Sequence, residues 1–381
     1  MGPTKRATYA AARETAERVR PHFLRHAAAI RAGGEIHADT LPDLETTESI
    51  MDAAFWASLR KHEGHAPQIS LAFVPREHAG SALVFETAMP LTPDALTRLA
   101  PAVERPGIHL GVWRNGDGLV VWGTTRTIPL LTFVLEVVAP GVLVVKHRRG
   151  EDSGKFVNIA VLEGDQIKVV DTNAALGNCP SILCSMLWQD APASASPGAN
   201  VMIELAVSMR AHRRGGALLV VPAGDESWRQ SIISPLTYSV SPAFEGLAAL
   251  VHRQPGEMRE RQWQDELHRV VEAIAGLTAV DGATVINHRY DLLAFGAKIR
   301  RRTGSPQVER LILTEPVEGA EASIMEPGQI GGTRHISAVQ FVHDQRASMA
   351  LVASQDGRFT IFAWSPSEEM VHAHRVEALL V

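Results

Sequence analysis

Between Trp263 and Leu277 the apolar residues Trp263, Leu267, Val270, Val271, Ile274 and Leu277 recur at helical spacing. The helix they define ends near Gly276 and delivers the chain directly to Asp281-Gly282-Ala283 and an apolar strand, Thr284 to Ile286. A helix that feeds a buried strand through so short a connection restricts its surroundings to helices and strands packed in layers. The flanking segments read the same way. A helix over Val201 to His212 feeds a strand over Ala217 to Val221, and Thr284 to Ile286 pairs with Leu292 to Phe295 as a hairpin around His288-Arg289-Tyr290. Leu311 to Leu313 is a shorter strand, and Met349 to Ala353 and Phe359 to Ala363 close the sheet, joined at Gln355-Asp356-Gly357. Asp225 to Ser231 reads as a loop, Ser241 to Val251 as a helix covering the sheet, and Glu315 to Ile330 as a long loop of the kind that often carries function. The expectation is a mixed-sheet α/β domain.

Two stretches of this domain carry the chemistry. Gly331-Gly332-Thr333-Arg334-His335 sets glycines, a hydroxyl, a guanidinium and an imidazole on consecutive residues ahead of the amphipathic run Val339 to Val342. If that run is helical, its free amides and positive dipole end favour a phosphate beside the glycines. Arg334 suits phosphate oxygens through its planar fork, and His335 suits an oxyanion or a metal. Asp281 adds a carboxylate beside a glycine at the mouth of a strand. Together they form a parts list for metal-assisted phosphoryl or nucleotidyl transfer. Taken singly each is bland: Asp281-Gly282 is a commonplace turn, and Lys298 to Arg302 reads as a solvated edge.

In this order, Asp281-Gly282-Ala283, Gly332-Thr333-Arg334-His335 and Ser354-Gln355-Asp356-Gly357 resemble the bacterial diadenylate cyclase domain, and Arg214-Gly215-Gly216-Ala217-Leu218-Leu219-Val220-Val221 resembles its first core strand. The resemblance covers roughly residues 198 to 365. It implies condensation of two ATP into cyclic di-AMP and two pyrophosphates with Mg²⁺ or Mn²⁺, each 3′-hydroxyl attacking the α-phosphorus of the other nucleotide. It implies Asp281, Arg334 and His335 as catalytic residues, with Asp281 and His335 holding the metal. Gly282, Ala283, Gly332, Thr333, Ser337 and Ser354 would bind the nucleotide, with residues Gly296 to Ile299 where the family lines the adenine pocket. Because one domain holds one ATP, it also implies a homodimer or a higher assembly of dimers. Two places depart from the family pattern. Ile336 stands where the family carries a second arginine, a charge-assisted contact of about 1.5–3 kcal/mol. The Ser354 segment is shorter and less acidic than the family's. Arg300, Arg301, Arg302 or Arg346 are the available substitute cations. The alternative function is a cyclase-like module that binds ATP or a cyclic dinucleotide without turnover; a third reading is an unrelated regulatory protein.

The first half lacks such chemistry. Residues 8 to 31 read as a helix with Val19, Phe23, Leu24 and Ile30 as its apolar side, which Pro21 should kink or split. A second helix is expected from Thr47 to His62, with Ile50, Met51, Ala54, Phe55 and Leu59 on one face and Gly64 as its stop. Strands follow at Ile69 to Val74 and Ala82 to Glu86, then a short helix with Thr92 as cap and Pro93 in its first turn. Asn115-Gly116-Asp117-Gly118 signals a hairpin. Thr132 to Val138, Val142 to Lys146, Val157 to Leu162 and Gln166 to Val170 complete an α+β domain with a mostly antiparallel sheet. The basic run Lys146-His147-Arg148-Arg149 reads as a solvated loop. This half is similar to a sensor-type domain that precedes some such cyclases, which implies an unknown small-molecule or protein signal. The domains are then 1–190, a linker over 191–200 that follows a short helix at Ile182 to Trp188, and 201–381.

Composition excludes several other classes. A net charge of −5 makes no strong case for nucleic acid. Two cysteines in 381 residues, Cys179 and Cys184, make neither a disulfide framework nor a zinc set, and point to a reducing cytoplasm. The most apolar stretch, Ile128 to Val145, is broken by Glu136 and Pro140-Gly141, so it reads as two strands rather than a membrane span.

Overall fold

The computed structural model describes residues 8–31, 41–105, 107–116, 118–148, 156–171, 197–253 and 260–380. They divide between Val170 and Asp171 into two compact units, each mixed α/β with one mixed sheet. The expected helix at 182–188, Cys179, Cys184, Arg149 and the start of the expected linker lie outside the described residues.

The first unit opens with α1 (Ala10–Arg31), packed on α2 (Leu44–Ser58). Pro21 does not split α1: Val19 and Phe23 are buried on either side of it and hold the helix across the lost amide hydrogen bond. Leu24, expected on the apolar side, is instead exposed. α2 starts before its expected residue because Asp43 caps it, accepting from the Thr46 amide at 2.8 Å. It stops at Ser58, so Leu59 falls outside it and is half exposed.

Strands β1 (Ile69–Phe73), β2 (Leu83–Pro90), β3 (His109–Asn115), β4 (Gly118–Thr125), β5 (Phe133–Ala139), β6 (Val142–Arg148), β7 (Phe156–Glu163) and β8 (Gln166–Val169) form one sheet. Its order is β2-β4-β3-β1-β5-β6-β7-β8, and only β1 and β3 run parallel. Between β2 and β3 lies α3 (Pro93–Leu99), capped by the Thr92 hydroxyl, which accepts from the Ala95 amide at 3.2 Å. The basic run is corrected from a loop to a strand. Lys146 and His147 lie in β6 between two partner strands, and the buried Lys146 ammonium pairs with Glu136 of β5 at 2.5 Å. A carboxylate across the ladder lets a strand carry a buried lysine that composition alone assigns to solvent.

The second unit contains α4 (Pro197–Ala211), β9 (Gly216–Val221), β10 (Tyr238–Phe244), α5 (Gly246–Val251), α6 (Glu260–Thr278), β11 (Ala283–Asn287), β12 (Leu292–Ala297), β13 (Leu311–Thr314), β14 (Ser323–Met325), α7 (Pro327–Ile330), α8 (Thr333–Asp344), β15 (Met349–Ala353), β16 (Phe359–Ser365), β17 (Met370–Arg375) and α9 (Glu377–Leu380). The sheet order is β10-β12-β11-β9-β15-β16-β17-β13-β14, parallel at β9–β11 and β13–β17. β9 and β11 are buried on both faces, as central strands between helical layers are. Leu219, Val285, Val352 and Phe362 share a core with Ala338, Val339 and Val342 of α8. The paired helices α4 and α6 contact the sheet outside that cluster.

Four expectations in this unit are corrected. Tyr238–Phe244 is a strand where Ser241 to Val251 was expected to be helical, and the helix is confined to Gly246–Val251. Pro242 fits there because β10 is an edge strand, whose outer side needs no amide. The loop Glu315 to Ile330 holds β14 and α7. β17 adds a strand beyond the expected closing pair. α4 begins at Pro197, inside the expected linker. No helix among the described residues is long and apolar enough to cross a membrane.

Candidate functional site

The start of β11, the end of β12, the beginning of α8 and the end of β15 converge on one cavity of about 640 Å³. Asp281, Gly282 and Ala283 form one wall, Lys298 and Ile299 a second, Gly332 to His335 with Ser337 a third, and Ser354 with Gln355 a fourth. The structure therefore brings together nearly all the residues singled out from sequence. The exception is Gly296, which does not line the cavity but backs it. Gly282 has φ +119°, and a β-carbon there would lie 2.4 Å from the Gly296 carbonyl carbon. Gly296 itself has φ +60° and is closed off by the Tyr238 ring. Both positions need glycine for conformation and for space, and together they let β11 and β12 approach at the cavity's edge.

The third wall is the N-terminal turn of α8. Gly332 is its cap residue and supplies no side-chain hydrogen bond, so the helix end meets the cavity without a protein cap. Gly331 is extended, with φ 171°, and is confined by space rather than strain: its β-carbon would lie 2.5 Å from His335 Nδ1. That closeness lets the His335 ring turn inward, where it is 4% exposed and edge-on to Phe362 at 6.1 Å. Burial lowers the pKa of His335; Asp356 opposes this, while Arg375, Arg358 and Arg334 reinforce it. The imidazole is therefore neutral near pH 7, the form that accepts a hydrogen bond or ligates a metal. A β-carbon on Gly215, whose φ is +70°, would meet Arg334 Nη1 at 3.0 Å, so the Arg214-Gly215-Gly216 stretch makes room for the guanidinium. Gly216 in turn would strike the Thr278 hydroxyl at 2.5 Å, which fixes β9 against the end of α6.

The Asp281 side chain is 87% exposed and accepts a hydrogen bond from Lys298 Nζ at 2.8 Å. That hydrogen bond and the Lys298 charge, with a smaller contribution from Arg334, hold its carboxyl below the usual carboxylate range. Ser354 begins a tight turn in which its carbonyl accepts from the Gly357 amide and its amide donates to the Arg358 carbonyl. Ile336 lies beside the cavity, 43% exposed. It lines a neighbouring groove with Arg300 and Arg301 that shares Ile299 and Ser337 with the first. Arg302 and Arg346 do not belong to that groove; the Arg346 guanidinium stacks 4.0 Å over Trp364. Among the described residues no three His, Cys, Asp or Glu side chains form a metal-ligating group.

The residues alone read Lys298 as part of a solvated edge and the resemblance set it within Gly296 to Ile299; in the structure it is 59% exposed and lines the cavity. The signal is the strand register: Ala283 pairs with Ala297, which sets residue 298 across from Gly282 and next to Asp281.

Fold and cavity together define a mixed α/β domain whose strand ends and one helix N-terminus enclose a glycine-walled cavity with two cations and a carboxylate. Elsewhere in the chain, residues 36–126 match the family model described as Probable sensor domain DACNV, a sensor domain found in diadenylate cyclases. The match spans helices α2 and α3 and strands β1 to β4 of the first unit. No curated protein matches the chain.

Proposed function

We propose that the second unit is a diadenylate cyclase domain that condenses two ATP molecules into cyclic di-AMP, under control of the first unit. What carries this reading is the convergence of Asp281-Gly282-Ala283, Gly332-Thr333-Arg334-His335 and Ser354 on one cavity. The sensor-family match in the first unit supports the same context. In this scheme the uncapped start of α8, Thr333 and Arg334 hold the triphosphate oxygens. Asp281, ionised and accessible, orients the 3′-hydroxyl and takes up its proton as the oxygen attacks the neighbouring α-phosphorus. The new P–O bond forms as the bond to the β-phosphate oxygen breaks, and pyrophosphate leaves; a second, reciprocal attack closes the ring. Ser337 and Ser354, which line the cavity, donate hydroxyls, and Ile299 offers the apolar surface for adenine.

A divalent Mg²⁺ or Mn²⁺ would neutralise charge building on the transferring phosphate. The donors fit such an ion only partly. Asp281 and neutral His335 would supply two ligands, and among the described residues no third His, Cys, Asp or Glu joins them, so substrate phosphate oxygens would complete the shell, as is usual for Mg²⁺. Each cavity accommodates one nucleotide in this scheme, so two copies of the chain must meet with their cavities facing.

Incubation of the purified chain with ATP and Mg²⁺ or Mn²⁺, followed by mass analysis, tests the reading. Cyclic di-AMP and pyrophosphate are expected from the wild type and not from Asp281→Asn. The exposed Ile336, which offers no donor to phosphate, favours a second reading in which the domain binds nucleotide without turnover. Thermal stabilisation by ATP with no product under either metal selects that reading.

A further inference from the structure

We infer that Lys298 is a substrate-binding cation parked on Asp281 in the free protein, and that a nucleoside triphosphate draws it onto phosphate, releasing Asp281 for the metal. The inference rests on the nucleotide reading above and adds a residue and an order of events to it. Its basis is positional. Lys298 Nζ donates to Asp281 Oδ2 at 2.8 Å, and both residues line the cavity that Thr333 and Arg334 also line.

The pair is built to open. Its side chains are 59% and 87% exposed, and ion pairs of that exposure add little to stability. The lysine backbone, by contrast, is pinned. The Lys298 carbonyl accepts from the Ile233 amide at 2.9 Å, the Arg300 amide donates to the Ser231 carbonyl at 2.9 Å, and Ile232 bridges to Ile299. A fixed backbone with a flexible four-carbon stem lets the ammonium swing within the cavity while the strand end stays in place. Ile336, on the same side of the site as Ile299, supplies no charge. Lys298 and Arg334 are then the two cations that line the cavity.

The arrangement also couples two ligands. While Lys298 holds Oδ2 of this exposed carboxylate, its ammonium charge opposes a divalent ion that approaches the same group. Once a triphosphate attracts the ammonium, the carboxylate is free. Nucleotide and metal should each improve the other's binding, and by the same factor. A lysine serving only the local fold would produce no such coupling.

Thermal-shift titrations separate these cases, using full-length wild type, Lys298→Met and Lys298→Arg with ATP in EDTA, and with Mn²⁺ alone. The methionine variant should melt with the wild type when no ligand is present. Its ATP affinity in EDTA should fall about tenfold, the scale of one charge-assisted contact, while Mn²⁺ alone binds it more tightly than it binds the wild type. Lys298→Arg should keep the ATP affinity. Equal ATP affinity of wild type and Lys298→Met in EDTA, with unchanged Mn²⁺ binding, overturns the role of Lys298 and leaves the nucleotide reading standing. Wild type that no nucleotide stabilises, with or without Mn²⁺, overturns the nucleotide reading and this inference with it.

Discussion

Gly282 and Gly296 are backed so closely against each other that the cavity's first wall depends on the absence of two β-carbons. Gly282→Ala places a methyl 2.4 Å from backbone at φ +119°, where the partner cannot yield. A loss of about 2 kcal/mol or more is expected in urea unfolding, with ATP stabilisation lost at the same time. Gly332→Ala is the contrast: its β-carbon meets nothing within 4 Å and its φ is −76°. Its unfolding free energy should change by no more than about 1 kcal/mol, the scale of an N-cap substitution. At this scale the sequence was informative wherever chemistry is written on consecutive residues. Asp281-Gly282-Ala283 and Thr333-Arg334-His335 are local strings, and the structure gathers them. The ion pair of Lys298 was not legible because its partner lies seventeen positions away, across a ladder with two register shifts that no periodicity reveals. Gly296 was misplaced for the same reason, since what it backs is another strand.

Among the elements, α6 and β11 were legible because a single amphipathic stripe and a buried apolar run have few other solutions. β17 was not, because Met370-Val-His-Ala-His-Arg places two histidines on one face of a covered strand. His372 and His374 stack at 4.1 Å, and only His374 has a partner for one nitrogen, the Thr314 hydroxyl at 2.9 Å. Burial lowers their pKa values to about 4 and about 3, the charge of His372 adding to the effect on His374. In the unfolded chain they titrate near the ordinary histidine value, about 6.5. Between that value and the folded ones the unfolded state binds more protons, so stability is complete above it and declines as pH falls through the window. The slope should approach about 1.4 kcal/mol per pH unit for each histidine. Urea midpoints from pH 7 to pH 5 check this, and His374→Leu should flatten the decline. β6 was misread on similar grounds, since a Lys-His-Arg string signals solvent unless its cross-strand partner is known. Glu136→Gln strands the Lys146 ammonium, whose side chain is 10% exposed, and should cost about 3 kcal/mol. The double change Glu136→Leu with Lys146→Met should recover most of it.

At the scale of the whole molecule, the proposed chemistry needs two copies of the chain. Each cavity has one Asp281 and one helix N-terminus, whereas ring closure requires two attacks on two phosphorus atoms. A face-to-face dimer is isologous, so a single inert protomer leaves one attack intact and removes the other. Adding Asp281→Asn protein to a fixed amount of wild type therefore has a defined outcome. With free exchange of protomers, cyclic product per wild-type chain should fall to about half in an equal mixture and about a tenth at ninefold excess, because pairing is random between identical interfaces. The mixed dimers should accumulate the linear dinucleotide that retains its 5′-triphosphate, formed with release of one pyrophosphate instead of two. Its mass differs from that of the cyclic product, so one spectrum reads both effects. Cyclic product that stays constant per wild-type chain at every ratio would show that one chain carries out both attacks, and the face-to-face arrangement would have to be abandoned.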